Sequence, residues 1–226
     1  MINTFIFDFD GLILDTELAC YQTWVDIYKT FNANLPLEEW IVCVGTTDEA
    51  FDPIKYLKQI SKIEPLDANE ILHLHGKEYR KRTSILDIKP GILDYLEWAR
   101  KNHFNIAIAS SSDKDWVISH LENLKIIQYF DLIRTNNDVE KVKPDPELYL
   151  SVKKYFRLND FEAIIFEDSL HGINAGLASN LFTIAVPNEL TKNSDLSAAH
   201  LIITGLDAIP PSKLLRTLEN KLKMTL

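Results

Sequence analysis

Phe5-Ile6-Phe7-Asp8-Phe9-Asp10-Gly11 decides how this chain is read. A short apolar run, opening at Thr4, ends in two carboxylates two residues apart, and a glycine follows. Carboxylates at the end of a buried strand cost several kcal/mol (order of magnitude) unless they are paired or bound to a cation. The run therefore predicts a strand that carries a nucleophile and a metal site to its own carboxyl end.

Working outward, other short apolar runs read as strands: Asn105–Ala109, Leu132–Arg134, Ala163–Phe166, Phe182–Val186 and Leu201–Thr204. They lack strict alternation, which suits a parallel sheet covered on both faces. Apolar residues at helical spacing lie between them, as in Ile92/Leu93/Leu96/Ala99, Val117/Ile118/Leu121/Leu124 and Leu148/Val152/Phe156. Strand and helix alternate, so the expected fold class is α/β, with a Rossmann-like parallel sheet at its core. The stretch from Thr16 to Ser84 breaks the rhythm with helical patterns only, such as Trp24/Ile27/Tyr28/Phe31 and Ile54/Leu57/Lys58. That is too long for a plain connection. It predicts a helical cap over residues 16–84 inserted into a core of residues 1–15 and 85–226, with hinges near Asp15–Thr16 and Ser84–Pro90.

Composition narrows the function. The 226 residues hold 24 Lys and Arg against 33 Asp and Glu, a net charge of −9. A nucleic-acid partner, which needs a basic face, is disfavoured. Cys20 and Cys43 form no CxxC pair and no disulfide framework. No run reaches the ~18 apolar residues of a membrane span, and no secretory leader is evident. The expectation is a cytoplasmic monomer with no membrane partner.

Four chemical clusters fall at predicted strand ends: Asp8/Asp10/Gly11, Ser110-Ser111-Ser112, Lys143-Pro144-Asp145-Pro146 and Glu167-Asp168-Ser169. Ligands of an open parallel sheet collect outside the carboxyl ends of its strands, so the four should converge. Asp8, Glu167 and Asp168 are hard oxygen donors suited to Mg²⁺. Ser110 and Ser111 suit phosphate oxygens, although the serine run also suits the N-cap of a helix near Asp113. Lys143 adds a cation. This set matches phosphoryl transfer, with Asp8 as nucleophile and Asp10 as acid and base.

The pieces Asp8-Phe9-Asp10-Gly11-Leu12-Ile13-Leu14-Asp15-Thr16-Glu17, Ser110, Lys143-Pro144-Asp145-Pro146 and Glu167-Asp168-Ser169-Leu170-His171-Gly172 together resemble the haloacid dehalogenase superfamily in its phosphatase branch. The resemblance implies Mg²⁺ held by the Asp8 carboxylate, the Asp10 carbonyl and Asp168, with Glu167 binding directly or through water. Asp10 favours phosphate chemistry, since members that cleave carbon–halogen bonds lack it. The chain looks most like the β-phosphoglucomutase subgroup, but Cys20 stands where its mutases carry a histidine. Val44-Gly45-Thr46-Thr47-Asp48 places an acid where they carry an arginine. An acid there would repel a second phosphate. The reading is a phosphatase acting on a small phosphorylated metabolite, a sugar or polyol phosphate. A hexose-phosphate mutase and an idle binding module are the alternatives. Thr16, Cys20, Gly45, Thr46 and Asp48 are the substrate-facing candidates of the cap. His73 and His75, two apart on a helix, make a poor metal pair. Tyr21, Trp24, Tyr28 and Phe31 are expected in the cap core, and His171 in a structural or surface role.

Overall fold

The computed structural model describes residues 2–46, 50–61 and 67–225, with side chains described as far as residue 220. Six parallel strands form one sheet in the order β3-β2-β1-β4-β5-β6. They are β1 (Thr4–Phe7), β2 (Asn105–Ala109), β3 (Leu132–Arg134), β4 (Ala163–Glu167), β5 (Phe182–Ala185) and β6 (Leu201–Ile202). Thr4–Phe7 pair residue by residue with Asn105–Ile108 on one side and Ala163–Phe166 on the other. The order reverses between β1 and β4, which puts the ends of these two strands at the switch point where α/β sheets bind ligands.

Both faces of the sheet are covered, which explains the continuous apolar runs. Phe5, Phe7, Ile106, Ile108, Ile164, Phe166 and Ile184 pack against α5 (Ile92–Lys101), α6 (Lys114–Asn123) and α9 (Pro211–Thr225). Ile6, Ala107, Ala109, Ala163 and Ile165 face the other way, onto α7 (Glu147–Phe156) and α8 (Leu170–Ala178). Strand β6 is shorter than the run Leu201–Thr204 predicts. Ile203 still donates to the Ala185 carbonyl at 2.9 Å, and the chain then turns at Gly205 into a short 3₁₀ segment.

Among the described residues, the segment between Asp15 and Ser84 holds only helices: α1 (Thr16–Thr30), α2 (Leu37–Trp40), α3 (Pro53–Ile60) and α4 (Ala68–Thr83), with a 3₁₀ turn after α2. They share a hydrophobic cluster built on Trp24, Ile27, Tyr28, Trp40, Leu57 and Ile71, with Tyr21 and Phe31 packed against it; Leu190, from beyond β5, joins it. The chain leaves and rejoins the sheet at one place. Lys89 donates its main-chain N–H to the Ile13 carbonyl (3.0 Å) and its Nζ to the Gly11 carbonyl (2.9 Å), and pairs with Asp15 at 3.4 Å. No helix among the described residues is long and apolar enough to cross a membrane.

Helix α8 packs on the sheet through glycine. A Cβ on Gly172 would stand 1.9 Å from the Glu167 carboxyl group, with no room for it in this register. Gly172→Ala is expected to cost about 1–3 kcal/mol of stability, as overpacking does. Gly76→Ala is the control: its nearest neighbour is the flexible end of Arg80 at 3.4 Å, and a helix-interior alanine should add about 0.5–1 kcal/mol. Urea unfolding of both variants checks the pair; equal effects would contradict the packing account.

Candidate active site

Strand pairing carries three of the four predicted clusters to one edge of the sheet, and the loop before α7 brings the fourth. Asp8 follows β1 and is anchored by its own N–H to the Phe166 carbonyl of β4 at 3.0 Å. Glu167 ends β4 and Asp168 follows it. Ser110 follows β2, its N–H bonded to the Arg134 carbonyl of β3 at 2.9 Å. Lys143 reaches in from the loop before α7. Asp8, Ser110, Lys143, Glu167 and Asp168 are all buried.

Asp8, Glu167 and Asp168 each offer an oxygen within 4.8 Å of the others. Lys143 Nζ is inserted among them, donating to Asp8 Oδ1 and to Glu167 Oε1 (2.6 Å). It also lies 5.2 Å from the centre of the Tyr149 ring, whose hydroxyl donates to Glu167 Oε1. The second Glu167 oxygen accepts the Ser169 hydroxyl at 3.2 Å. Glu167 thus spends both oxygens on protein donors and fixes the ammonium beside Asp8. Burial works against the charge on Lys143, but Asp8 and Glu167 outweigh it and hold the ammonium above its ordinary range.

One ammonium does not balance three carboxylates. Burial first, and then the neighbouring carboxylates, push Asp168 well above the usual carboxyl range. Burial likewise raises Asp8, and Lys143 opposes this only in part. Asp168 Oδ2 accepts from Asn188 Nδ2 at 2.7 Å, while Oδ1 is buried and has no hydrogen-bond partner among the described residues. A buried carboxylate oxygen left over, in an all-oxygen donor set with excess negative charge, fits a hard divalent cation.

Asp10 is turned toward the serine loop and is surrounded by donors. Oδ1 accepts from the Thr16 hydroxyl (2.6 Å) and the Trp116 indole Nε1 (3.0 Å). Oδ2 accepts from the Ser112 hydroxyl (2.6 Å) and the Ser110 hydroxyl (3.4 Å). The serines are free for this because Asp113 caps α6, accepting from the Asp115 N–H at 2.9 Å. The N-cap reading of the serine run therefore fails: the cap falls on the next residue.

The helical segment closes over this edge through the loop after α2. Thr46 donates its hydroxyl to the Lys143 carbonyl (2.8 Å), and Ser111 donates to the Gly45 carbonyl (3.4 Å). Gly45 has φ +82°, and a Cβ there would fall 2.1 Å from Ser169 Oγ, so both conformation and space require glycine. His171 bonds the Val42 carbonyl at 3.1 Å, so it holds this loop rather than lying idle at the surface. Cys20 lies one turn beyond Thr16 on α1, outside the carboxylate cluster. Its Sγ is 3.7 Å from His75 Nε2, and both line a cavity of about 810 Å³ among the inserted helices with Trp24, Trp40 and Lys55. Burial lowers His75 to about 4, so its imidazole is neutral. Asp48 lies outside the described residues.

Asn188, Tyr149 and Trp116 belong to the site but are missed by sequence reasoning. Asn188 lies three residues beyond β5, where the strand-end rule that finds Asp8 would also find it. Tyr149 and Trp116 sit in ordinary helical patterns and carry no local signal.

Comparison with known proteins agrees with this geometry. The family model for haloacid dehalogenase-like hydrolases matches residues 5–186. YhcW of Bacillus subtilis (strain 168), which carries a phosphatase designation, is 39% identical over 192 residues, 84% of this chain and 86% of that protein. A Thermotoga maritima protein named as a phosphorylated carbohydrates phosphatase is 25% identical over 176 residues, covering 78% and 81% of the two chains. Among solved structures, a β-phosphoglucomutase from Clostridium difficile superposes with a TM-score of 0.76 at 26% identity, over 98% of this chain and 99% of that one. With the sheet order, the strand-end clusters and the matched residues in agreement, the chain belongs to the haloacid dehalogenase-like hydrolase family.

Proposed function

We propose that this hydrolase is a Mg²⁺-dependent phosphatase that removes phosphate from a small phosphorylated metabolite, a sugar or polyol phosphate, with residues 16–84 acting as the cap over its substrate. The observation that carries this reading is the meeting of Asp8, Asp10, Ser110, Lys143 and Asp168 at one sheet edge. A site for binding alone has no need of a nucleophile and an acid beside the cation. The phosphatase designation of YhcW and the carbohydrate phosphatase from Thermotoga maritima support the substrate class.

The chemistry follows from the residues. The Ser110 hydroxyl, the Ser111 amide and Lys143 Nζ hold the phosphoryl oxygens. An Asp8 oxygen attacks phosphorus, the bond to the leaving oxygen breaks, and Asp10 gives that oxygen its proton. Asp10 then takes a proton from water, which attacks phosphorus and releases Asp8 and inorganic phosphate. Lys143 stays charged throughout and stabilises the spreading negative charge in a water-poor site. Asp8, Asp168 and the Asp10 carbonyl would hold Mg²⁺, which supplies further positive charge against the phosphoryl group. Glu167, whose oxygens are committed to Lys143, Tyr149 and Ser169, serves as the outer partner that orients the ammonium.

Phosphate release from p-nitrophenyl phosphate and a panel of sugar phosphates tests the reading. Wild-type protein should turn over with Mg²⁺ and stop with EDTA. Asp8→Asn should show no release, and Asp10→Asn should lose at least about 100-fold, the usual scale of acid–base catalysis. Isomerisation of a β-hexose 1-phosphate without phosphate loss would favour a mutase instead.

Metal binding has its own readout. Mg²⁺ at a hundred times its Kd should stabilise the fold by about 2.7 kcal/mol, a rise in Tm of several degrees for a chain of this size. Asp168→Asn should abolish that rise. An unchanged Tm in wild-type protein would remove the cation from the scheme.

A further inference from the structure

The reading of Asp10 as acid and base leaves open which of its two oxygens carries the proton, and what keeps it there. Trp116 bears on both. It stands on the first turn of α6, outside every strand-end cluster, and its Nε1–H donates to Asp10 Oδ1 at 3.0 Å. An indole nitrogen can donate and never accept. An oxygen bonded to it must therefore act as an acceptor and cannot carry a proton on that side.

We propose that Trp116 is a positioning residue that reserves Asp10 Oδ1 as a permanent acceptor, so that the transferable proton resides on Oδ2, and that stacking on cap residue Tyr79 holds the indole in place. Oδ2 is the oxygen that faces Ser112 (2.6 Å) and Ser110 (3.4 Å), whose hydroxyls, unlike the indole, can turn to accept a proton as well as donate one; this is the side on which the phosphate is read to bind. Thr16, the first residue of the cap segment, adds a second donor to Oδ1 at 2.6 Å.

The indole is held from both sides. The Tyr79 ring of α4 stacks on it at 5.2 Å between centroids and 19° between planes, and the His120 ring packs edge-on at 4.3 Å. Tyr79 in turn stacks on His75 (5.6 Å, 22°), and His75 on Trp24 (4.3 Å, 19°). A column of rings thus runs from α1 of the cap through α4 to α6 of the core and ends on Asp10. Parallel ring pairs of this kind add stability beyond their buried area. The stacking on Tyr79 thus braces the indole that donates to Asp10.

This assignment rests on the phosphatase reading, and the test separates the two. Trp116→Phe keeps a ring for Tyr79 and removes the donor. The readout is kcat/KM, which reports the step in which the leaving oxygen departs, for two substrates: an alkyl phosphate, whose leaving oxygen needs a proton, and 2,4-dinitrophenyl phosphate, whose leaving oxygen does not. In Trp116→Phe, kcat/KM should fall about 10–100-fold for the alkyl ester, a part of what acid catalysis supplies, and by less than about threefold for the dinitrophenyl ester. Tyr79→Ala keeps the indole and removes its stacking partner, and it should show the same selective loss in weaker form. In wild-type protein, the Trp116 Nε1–H resonance, assigned by its disappearance in Trp116→Phe, should shift when Asp10 is changed to Ala. Equal losses on both esters, or no loss in either variant, would overturn the assignment while leaving the phosphatase reading intact. Wild-type protein that releases phosphate from neither ester would overturn both.

Discussion

One buried ammonium makes this site possible. Lys143 is almost completely buried, and its Nζ binds Asp8 and Glu167 at once. Without it, three carboxylates would face one another in a volume closed to water, and the cost of burying them would fall on the fold. Much of the surrounding structure serves this contact. Tyr149 and Ser169 occupy the oxygens of Glu167. Gly172 leaves the space that the Glu167 carboxyl fills. The loop carrying Lys143 is tied down from the inserted helical segment by Thr46.

Asp8 and Asp10 lie two residues apart yet have different surroundings. Asp8 is buried among charges, and among the described residues Lys143 is its one side-chain donor. Asp10 is less buried and receives neutral donors from Thr16, Trp116, Ser112 and Ser110. These settings suit the roles proposed above: a nucleophile gains from a fixed cation and a dry setting, whereas a proton carrier gains from an environment that fixes its direction without fixing its charge.

The parts of the fold legible in the sequence were those that local pattern specifies. Short apolar runs between turn residues gave β1, β2 and β3 to the residue, because runs this short, bounded by turn residues and lacking helical spacing, suit buried parallel strands. Strand ends then gave Asp8, Ser110 and Asp168 their common address. The serine run was harder, since capping and anion binding ask for the same residues, and only the presence of Asp113 in the cap resolved it. Trp116 and Tyr149 stayed hidden because their roles are set by partners 106 and 18 residues away. In each, an aromatic ring on a helix buries apolar area while its one polar atom reaches the site, and the sequence displays only the ring.

Lys89 clamps the two crossings between sheet and inserted helices into one joint, through Ile13, Gly11 and Asp15. To the sheet, the inserted segment is therefore a closed loop whose ends already meet. Loop-closure entropy grows only slowly with length, so once the ends are joined, the size of what lies between them matters little to the core. The joint makes the insert a graftable unit. In the proposed reading, a different helical segment spliced between Asp15 and Lys89 would present Asp8 and Lys143 with a new wall, provided that it kept the contacts that Thr16, Thr46 and Tyr79 make to Asp10, the Lys143 loop and Trp116.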